Sequence, residues 1–230
     1  MAIRPPILRT GDTIGIVTLG SPRDEFTINS RIQFLENIGF NVVVGKYVYS
    51  SAGFVAATPQ QRASDLMSMF ENPEVKAIIP TRGGVGVADI IPYLDYPTIN
   101  RSPKIITGYS DITVLLNVLY IWANIITFHS LLLIDFRETT PAYSFNQFFS
   151  ATSTISSRRL DNPPENPLIS RIQGNVIGTI VGGNLTSFVD TLGTPFEVDT
   201  RGRILFIEET HESISRVYRL ISHLIHAGKF

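Results

Sequence analysis

The chain of 230 residues contains no cysteine. This excludes disulfides, thiolate metal sites and a cysteine nucleophile. Neither charge is in excess, because 19 basic residues stand against 20 acidic ones and the formal net charge is −1. Binding to a phosphate backbone is driven by a basic surplus, so nucleic acid is not an expected partner. No apolar run reaches the length of a membrane span, and no signal-peptide pattern is present, so we expect a soluble, cytoplasmic protein without membrane contact.

Hydrophobic residues make up 43% of the chain, which is ample for a core. β-branched runs alternate with segments whose apolar residues recur at helical spacing. The predicted strands in the first 130 residues are 13–18, 41–44, 75–79, 104–107 and 125–129, and the predicted helices are 25–37, one opened by Thr58 and Pro59, 87–94 and 112–119. This alternation predicts an α/β fold with a parallel sheet covered on both faces, whose ligands bind at the carboxyl ends of the strands.

The most informative stretch is 103–120, which reads as strand, tight turn and helix. Ser110 lies at the apex of the turn Gly108-Tyr109-Ser110-Asp111. The general pattern of a nucleophile elbow is Gly-x-Ser-x-Gly, and the second glycine is missing here. Ser and Asp are also preferred helix N-caps, so the turn predicts either a nucleophile or a cap.

A second candidate site follows the strand 75–79 as the loop Arg82-Gly83-Gly84-Val85-Gly86. Closely spaced glycines let the backbone approach a ligand and point its N–H groups inward as an anion-binding nest. The alternative is a loop whose glycines only satisfy turn geometry. Gly15 and Gly20 do not have the spacing of a dinucleotide fingerprint, and no cofactor or metal is expected.

The second half of the chain changes character after Phe136. Residues 137–173 are rich in Thr, Ser, Asn and Pro and are interpreted as an interdomain connection. An aromatic patch inside it, formed by Phe145, Phe148 and Phe149, is interpreted as packing against one of the domains. The predicted division is therefore an N-terminal domain over 1–136, the connection, and a partial C-terminal domain over 174–230.

Within the last segment we predict a strand at 174–181, a turn at 182–185 that opens a helix through Leu192, a strand at 203–207 and a helix at 214–225. The strand 203–207 delivers Glu208 and Glu209 to its carboxyl end. Such a pair fits a carboxylate that orients a histidine or binds a cation, and it also fits the acidic start of a helix.

Four ordered motifs resemble the LD-carboxypeptidases, a family of serine peptidases that includes murein tetrapeptide carboxypeptidases and microcin C self-immunity proteins. The motifs are 82–86, 108–111, 182–185 and 204–209, and the resemblance covers essentially the whole chain. It implies a Ser-His-Glu triad, an N-terminal Rossmann-like domain, a C-terminal domain with more β structure, and a homodimer.

The resemblance also assigns roles. Ser110 matches the nucleophile and Glu208 the carboxylate that orients the triad histidine. The backbone N–H groups of Gly84 and Asp111 would form the oxyanion hole, where each preorganised donor stabilises the transition state by about 3–4 kcal/mol. Arg82, with Gly83, would bind a substrate carboxylate, and the alternative role of Arg82 is a structural salt bridge.

The triad histidine is where this sequence departs from the family. The family's histidine lies well downstream of the glutamate, on a segment that these 230 residues do not contain, so we expect a truncated chain that is a very poor peptidase alone. The histidines after Glu208 are His211, His223 and His226, and none matches the motif. His129, at a strand end, is either a structural residue or a substitute base.

The leading hypothesis is hydrolysis of the bond to the terminal D-alanine of murein tetrapeptide during peptidoglycan recycling. The alternative within the same chemistry is hydrolysis of a peptidyl-nucleotide antibiotic of the microcin C type. A murein-peptide binding protein without catalysis is the alternative of another class.

Overall fold

The computed structural model describes residues 2–156, 159–160 and 162–230. Positions 157, 158 and 161 of the predicted interdomain connection lie outside the described residues. In chain order the strands and helices are β1 (Thr13–Val17), α1 (Glu25–Asn37), β2 (Asn41–Val44), α2 (Pro59–Glu71), β3 (Val75–Pro80), α3 (Tyr96–Arg101), β4 (Ile105–Gly108), α4 (Ile112–Trp122), β5 (Phe128–His129), α5 (Ala142–Thr152), β6 (Ile180–Asn184), α6 (Leu185–Val189), β7 (Ile204–Glu208) and α7 (Ile214–His226). Short 3₁₀ helices span Val87–Tyr93 and Leu133–Asp135.

The first five strands form one parallel sheet in the order β2-β1-β3-β4-β5. Alternate side chains of a strand point to opposite faces, and both faces are buried here. On β3, Ile78 packs in the cluster with α2 and α4, whereas Ala77 and Ile79 pack in the cluster with α1 and α5. The α/β fold with a doubly covered parallel sheet is therefore confirmed.

The helix boundaries follow the capping signals in the sequence. The Thr58 side chain accepts from the Gln61 N–H while the Gln61 side chain accepts from the Thr58 N–H, and Pro59 stands in the first turn of α2. Asp24 caps α1 through the N–H of Thr27. By contrast, the predicted helix at 87–94 is a 3₁₀ helix that contains Pro92, a residue that cannot supply a helical N–H.

The predicted connection contains α5, which packs on the first sheet. Phe148 is 1% exposed, Phe145 stacks on Phe34 at 5.7 Å between ring centroids, and Phe149 stacks on Phe40 at 6.0 Å. The interpretation of the aromatic patch as packing is thereby confirmed. The three-part domain division stays a prediction.

The second sheet consists of the parallel strands β6 and β7. The predicted strand at 174–181 and turn at 182–185 were wrong in position, because β6 runs through both glycines as far as Asn184. A Cβ on Gly182 would lie 1.9 Å from the carbonyl oxygen of Phe206, so this glycine permits close approach of the strands rather than a turn. The predicted strand at 125–129 is also shorter, Phe128–His129.

No helix among the described residues is both long and apolar enough to cross a membrane.

Replacement of Phe148 tests whether α5 belongs to the first core. Phe148→Ala is expected to lower the free energy of unfolding by about 3–5 kcal/mol, because it removes a buried ring and leaves a cavity. The matched control is Phe26→Ala on α1, where the ring is 84% exposed. Urea denaturation measures both, and equal small losses would mean that α5 does not contribute to the core.

Candidate active site

Ser110 stands in a strained turn between β4 and α4. Its φ is 58°, one of three positive values among the described non-glycine residues. A left-handed backbone conformation costs energy for a residue with a Cβ. Such strained residues cluster at active sites, where the surrounding structure holds them in place. The side chain is partly exposed, at the carboxyl end of the sheet and immediately before a helix.

The glycine loop lies directly against this turn. A Cβ built on Gly83 would be 2.8 Å from both Cβ and Oγ of Ser110 and 3.0 Å from the backbone nitrogen of Asp111. The structure therefore brings the two sequence-predicted motifs together, and only glycine fits at position 83. Gly84, at φ +94°, is equally confined, since a Cβ there would lie 2.3 Å from the Ser21 hydroxyl oxygen.

Ser21 hydrogen-bonds to the glycine loop, and Asp111 hydrogen-bonds to Val87 directly after it. The Ser21 N–H donates to the Gly83 carbonyl at 3.1 Å, and the Ser21 hydroxyl accepts from the Val85 N–H at 3.2 Å. The Asp111 carboxylate accepts from the Val87 N–H at 2.9 Å. Asp111 thus contributes its side chain to the loop, while its backbone nitrogen lies next to Gly83. Burial raises the pKa of the Asp111 carboxyl.

Arg62 is a structural residue of the site that the sequence analysis missed. It is 1% exposed and donates to the carbonyls of Ala57 at 3.0 Å and Gly86 at 2.8 Å, and also to that of Leu19. A buried guanidinium therefore ties three loops at the carboxyl ends of the strands. Its position on the apolar face of α2, one turn before Leu66, is the sequence signal that could have revealed it.

The second sheet is attached to α4 through two side chains. The Asn117 amide donates to the Gly182 carbonyl at 2.8 Å and its oxygen accepts from the Gly182 N–H at 3.1 Å. The Thr113 hydroxyl accepts from the Asn184 N–H at 2.9 Å. In the part of the chain that the structure describes, these contacts take the place of a neighbouring strand on this side of β6. The helix that follows Ser110 therefore positions β6 and, through it, β7.

Glu208 ends β7 opposite Asn184 and faces the first domain. Its Oε1 lies 3.8 Å from Nε2 of His129, and this buried oxygen has no hydrogen-bond partner among the described residues. Burial raises the pKa of the Glu208 carboxyl, and the charge of Glu209 adds to the effect. An unsatisfied carboxylate oxygen aimed at an imidazole is able to orient a histidine.

Glu209 has a different environment from its neighbour. Its carboxylate accepts from the N–H and the hydroxyl of Thr186, at 3.1 and 2.6 Å, from the Asn184 amide at 3.2 Å and from the Thr210 N–H at 3.0 Å. Burial opposes ionisation, but these bonds outweigh it and lower the pKa of Glu209. From the sequence, the pair Glu208 and Glu209 fitted two roles, the acidic start of a helix and a carboxylate that orients a histidine. Glu209 hydrogen-bonds to the start of α6. Glu208 is therefore the candidate for the orienting carboxylate.

His129 lies on β5, paired with Gly108 of β4, and so stands beside the strand that leads to Ser110. Its side chain is 27% exposed, and burial lowers its pKa. Nε2 faces Glu208 of β7, and Nδ1 faces Gly183 of β6, where a Cβ would lie 3.1 Å from Nδ1. The ring also makes an edge contact with Phe206, 5.2 Å between centroids.

The other predicted residues are placed as follows. Arg82 lines a cavity of about 230 Å³ together with Tyr109, the residue before Ser110. His223 and His226 lie in the last turn of α7, and His211 precedes that helix with φ +66°.

Comparison with known proteins identifies the family. Residues 14–130 match the family model of the LD-carboxypeptidase N-terminal domain, and residues 177–230 match that of the LD-carboxypeptidase C-terminal domain. The chain belongs to the LD-carboxypeptidase family. The first match contains the glycine loop, Ser110 and His129, and the second contains Glu208, so the candidate site of this LD-carboxypeptidase chain is built by both domains.

Curated relatives and solved structures of LD-carboxypeptidases and related proteins agree with this. The probable murein peptide carboxypeptidase of Bacillus subtilis is 36% identical over 98% of this chain and 71% of its own length. The microcin C7 self-immunity protein MccF of Escherichia coli is 31% identical over 94% of this chain and 72% of its own length. An MccF-like protein from Bacillus anthracis superposes with a TM-score of 0.88 at 25% identity, covering 100% of this chain and 78% of that structure.

The two adjacent glutamates predict opposite pH effects on the stability of this LD-carboxypeptidase chain. The pKa of Glu208 is raised on folding, so its ionisation costs stability at neutral pH, and that cost disappears below the unfolded pKa. Glu208→Gln is therefore expected to raise the free energy of unfolding at pH 7, with a gain that shrinks as the pH falls toward 4.

Glu209→Gln is the matched control of opposite sign. The lowered pKa of Glu209 contributes stability above its unfolded pKa, which is lost as the pH falls through the folded value. This variant is expected to be less stable than wild type at pH 7, and the difference is expected to shrink in acid. Urea denaturation at several pH values checks both, and losses of the same sign at pH 7 would contradict the assignment.

Proposed function

We propose that this protein is a cytoplasmic serine peptidase of LD-carboxypeptidase type, which removes the terminal D-alanine from murein tetrapeptide in peptidoglycan recycling. The observation that carries the proposal is the left-handed turn that presents Ser110 against Gly83. The similarity to a probable murein peptide carboxypeptidase supports the substrate class. The family resemblance further suggests a homodimer.

In this proposal the Ser110 hydroxyl attacks the carbonyl carbon of the bond to D-alanine. Its proton passes to a histidine base and then to the leaving amine, and water releases the peptide from the acyl-enzyme. The N–H groups of Gly84 and Asp111 stabilise the oxyanion. Arg82, with Gly83, binds the carboxylate of the terminal residue. Glu208 orients the histidine.

We further propose that none of the four histidines in these 230 residues is the full triad base. His129 is the one in contact with Glu208, but its second nitrogen faces Gly183. An enzyme that retains the nucleophile and the oxyanion hole without its base keeps a residual rate, several orders of magnitude below that of a complete triad. Slow turnover by this polypeptide follows.

The alternative substrate is a peptidyl-nucleotide antibiotic. It is favoured by the similarity to MccF, whose structure in complex with aspartyl sulfamoyl adenosine superposes with a TM-score of 0.85 at 28% identity, over 97% of this chain and 76% of that one. The bond that is cut would again be next to a carboxylate-bearing residue, and the role of Ser110 would be unchanged.

Product analysis by mass spectrometry tests the proposal on murein tetrapeptide ending in D-alanine and, in parallel, on aspartyl sulfamoyl adenosine. We expect slow release of D-alanine at a residual rate that Ser110→Ala and His129→Gln each change by less than about tenfold, because a triad without its base draws its rate from the oxyanion hole and binding. A rate that Ser110→Ala abolishes would mean that a base for Ser110 lies within these residues and would overturn the proposal of a missing base. A rate lost in His129→Gln would make His129 the base. Saturable binding with no turnover by any variant would favour the other alternative, a murein-peptide binding protein without catalysis.

A further inference from the structure

Asp111 stands at the position where a helix is normally capped, but its side chain does not cap α4. An Asp at this position usually accepts the first free N–H groups of its own helix. Here the Asp111 carboxylate makes no capping bond to the described residues of that helix. Its Oδ2 instead accepts from the Val87 N–H at 2.9 Å. The structure therefore uses this carboxylate on a different segment of the chain.

The bond to Val87 fixes the end of the glycine loop. Val87 is the first residue of the 3₁₀ helix Val87–Tyr93, and Gly86 before it has no side chain with which to cap that helix. The first N–H groups of a helix have no partner within the helix. Asp111 therefore caps the 3₁₀ helix from outside. This ties the glycine loop, directly after its last residue, to the turn that carries Ser110.

Asp111 thereby sets the relative position of both oxyanion donors. In the proposed function these donors are the N–H groups of Gly84 and Asp111. The backbone of Asp111 supplies one of them, and its carboxylate anchors the loop that carries the other. Such donors act only when they are held within hydrogen-bond distance of the developing charge. A displacement of about 1 Å in a catalytic site can cost about a hundredfold in rate.

The same carboxylate receives a second contact, which comes from the second domain. Ser187 on α6 is 6% exposed, and its hydroxyl lies 3.4 Å from Oδ1 of Asp111 and 3.2 Å from Oδ1 of Asn184. A hydroxyl has one proton to donate, so these two oxygens share it. The Asn184 amide also donates to the Glu209 carboxylate at 3.2 Å. Contacts thus run from the end of β7 through α6 to the glycine loop.

We propose that Asp111 and Ser187 are positioning residues for the oxyanion hole. Asp111 holds the glycine loop against the Ser110 turn, and Ser187 holds the Asp111 carboxylate from the second domain. The inference rests on the proposed function and deepens it. Neither side chain touches the reacting atoms. Loss of either one displaces the Gly84 N–H relative to the Asp111 N–H, so the tetrahedral intermediate is bound less tightly while the peptide is bound as before.

Amide hydrogen exchange measured by NMR tests the anchor without any ligand. The Thr81 N–H, which donates to the Val17 carbonyl at 2.8 Å, reports global opening. Relative to this control amide, Asp111→Ala is expected to raise the exchange rate of the Val87 N–H at least about tenfold, because its acceptor is gone. Asp111→Asn keeps an oxygen acceptor and is expected to retain most of the protection. Equal relative exchange in wild type and Asp111→Ala would overturn the proposal.

Ser187→Ala tests the contribution of the second domain, and it remains informative if Asp111→Ala does not fold. It is expected to raise the relative exchange rate of the Val87 N–H about threefold, because the carboxylate loses one of its contacts. The matched control is Ser64→Ala, which removes an exposed hydroxyl that donates to the Gln61 carbonyl within α2. Equal exchange in Ser187→Ala and Ser64→Ala would overturn the role of Ser187.

A transition-state analogue tests the consequence for the oxyanion hole. In a phosphinate analogue of murein tetrapeptide, a tetrahedral, anionic phosphorus group replaces the carbonyl that is attacked. Calorimetry is expected to show that Asp111→Ala weakens binding of this analogue at least about tenfold and binding of murein tripeptide less than about threefold. Asp111→Asn is expected to restore the affinity for the analogue. A merely structural role would weaken both ligands alike, so equal losses would overturn the proposal.

Failure of this inference is distinguishable from failure of the proposed function. Hydrolysis of murein tetrapeptide by the wild-type chain, with Val87 exchange unchanged in both variants, would overturn the positioning roles and leave the peptidase proposal intact. Val87 exchange that depends on Asp111 and Ser187, in a protein that binds neither the analogue nor the tetrapeptide, would support the positioning roles and count against the peptidase.

Discussion

The contact between Gly83 and the Ser110 turn is the constraint on which the rest of the site depends. Two loops from neighbouring strands meet so closely that a single methyl group on Gly83 would collide with the Ser110 side chain. The left-handed backbone of Ser110 costs energy, and the loop around it is held in place by Arg62, Ser21 and Asp111. The core of the first domain thus supports one strained residue at the carboxyl end of β4.

The same turn also determines where the second domain stands. Helix α4 begins directly after Ser110, and its Asn117 and Thr113 side chains bind the free edge of β6. β7 pairs with β6 in register, which places Glu208 beside His129. A short chain of hydrogen bonds therefore links the candidate nucleophile with the candidate orienting carboxylate, although they are almost a hundred residues apart in sequence.

Local sequence signals predicted much of this fold, whereas the features that depend on contacts between distant residues were not predicted. The bounds of α1 and the start of α2 follow from capping residues, which act within one turn. Gly182 and Gly183 were misread as a turn, because Gly182 lets β7 approach and Gly183 lets Thr113 and His129 approach, and the sequence does not show which elements lie near. The sequence also could not separate Glu208 from Glu209, whose environments differ only through contacts with distant residues. The sequence places Arg62 on the apolar face of α2, but the three loops that it joins are known only from tertiary packing.

Chemical rescue tests the central claim most directly. The claim is that Ser110 is a nucleophile held at the site by its turn and that its histidine base is not among these residues. Imidazole added to the solution can accept the serine proton in place of a missing side chain. The account predicts that the rate of D-alanine release from murein tetrapeptide rises with imidazole concentration in the wild-type chain and stays at background in Ser110→Ala. The same increase in both proteins, or a wild-type rate that is insensitive to imidazole, would contradict it.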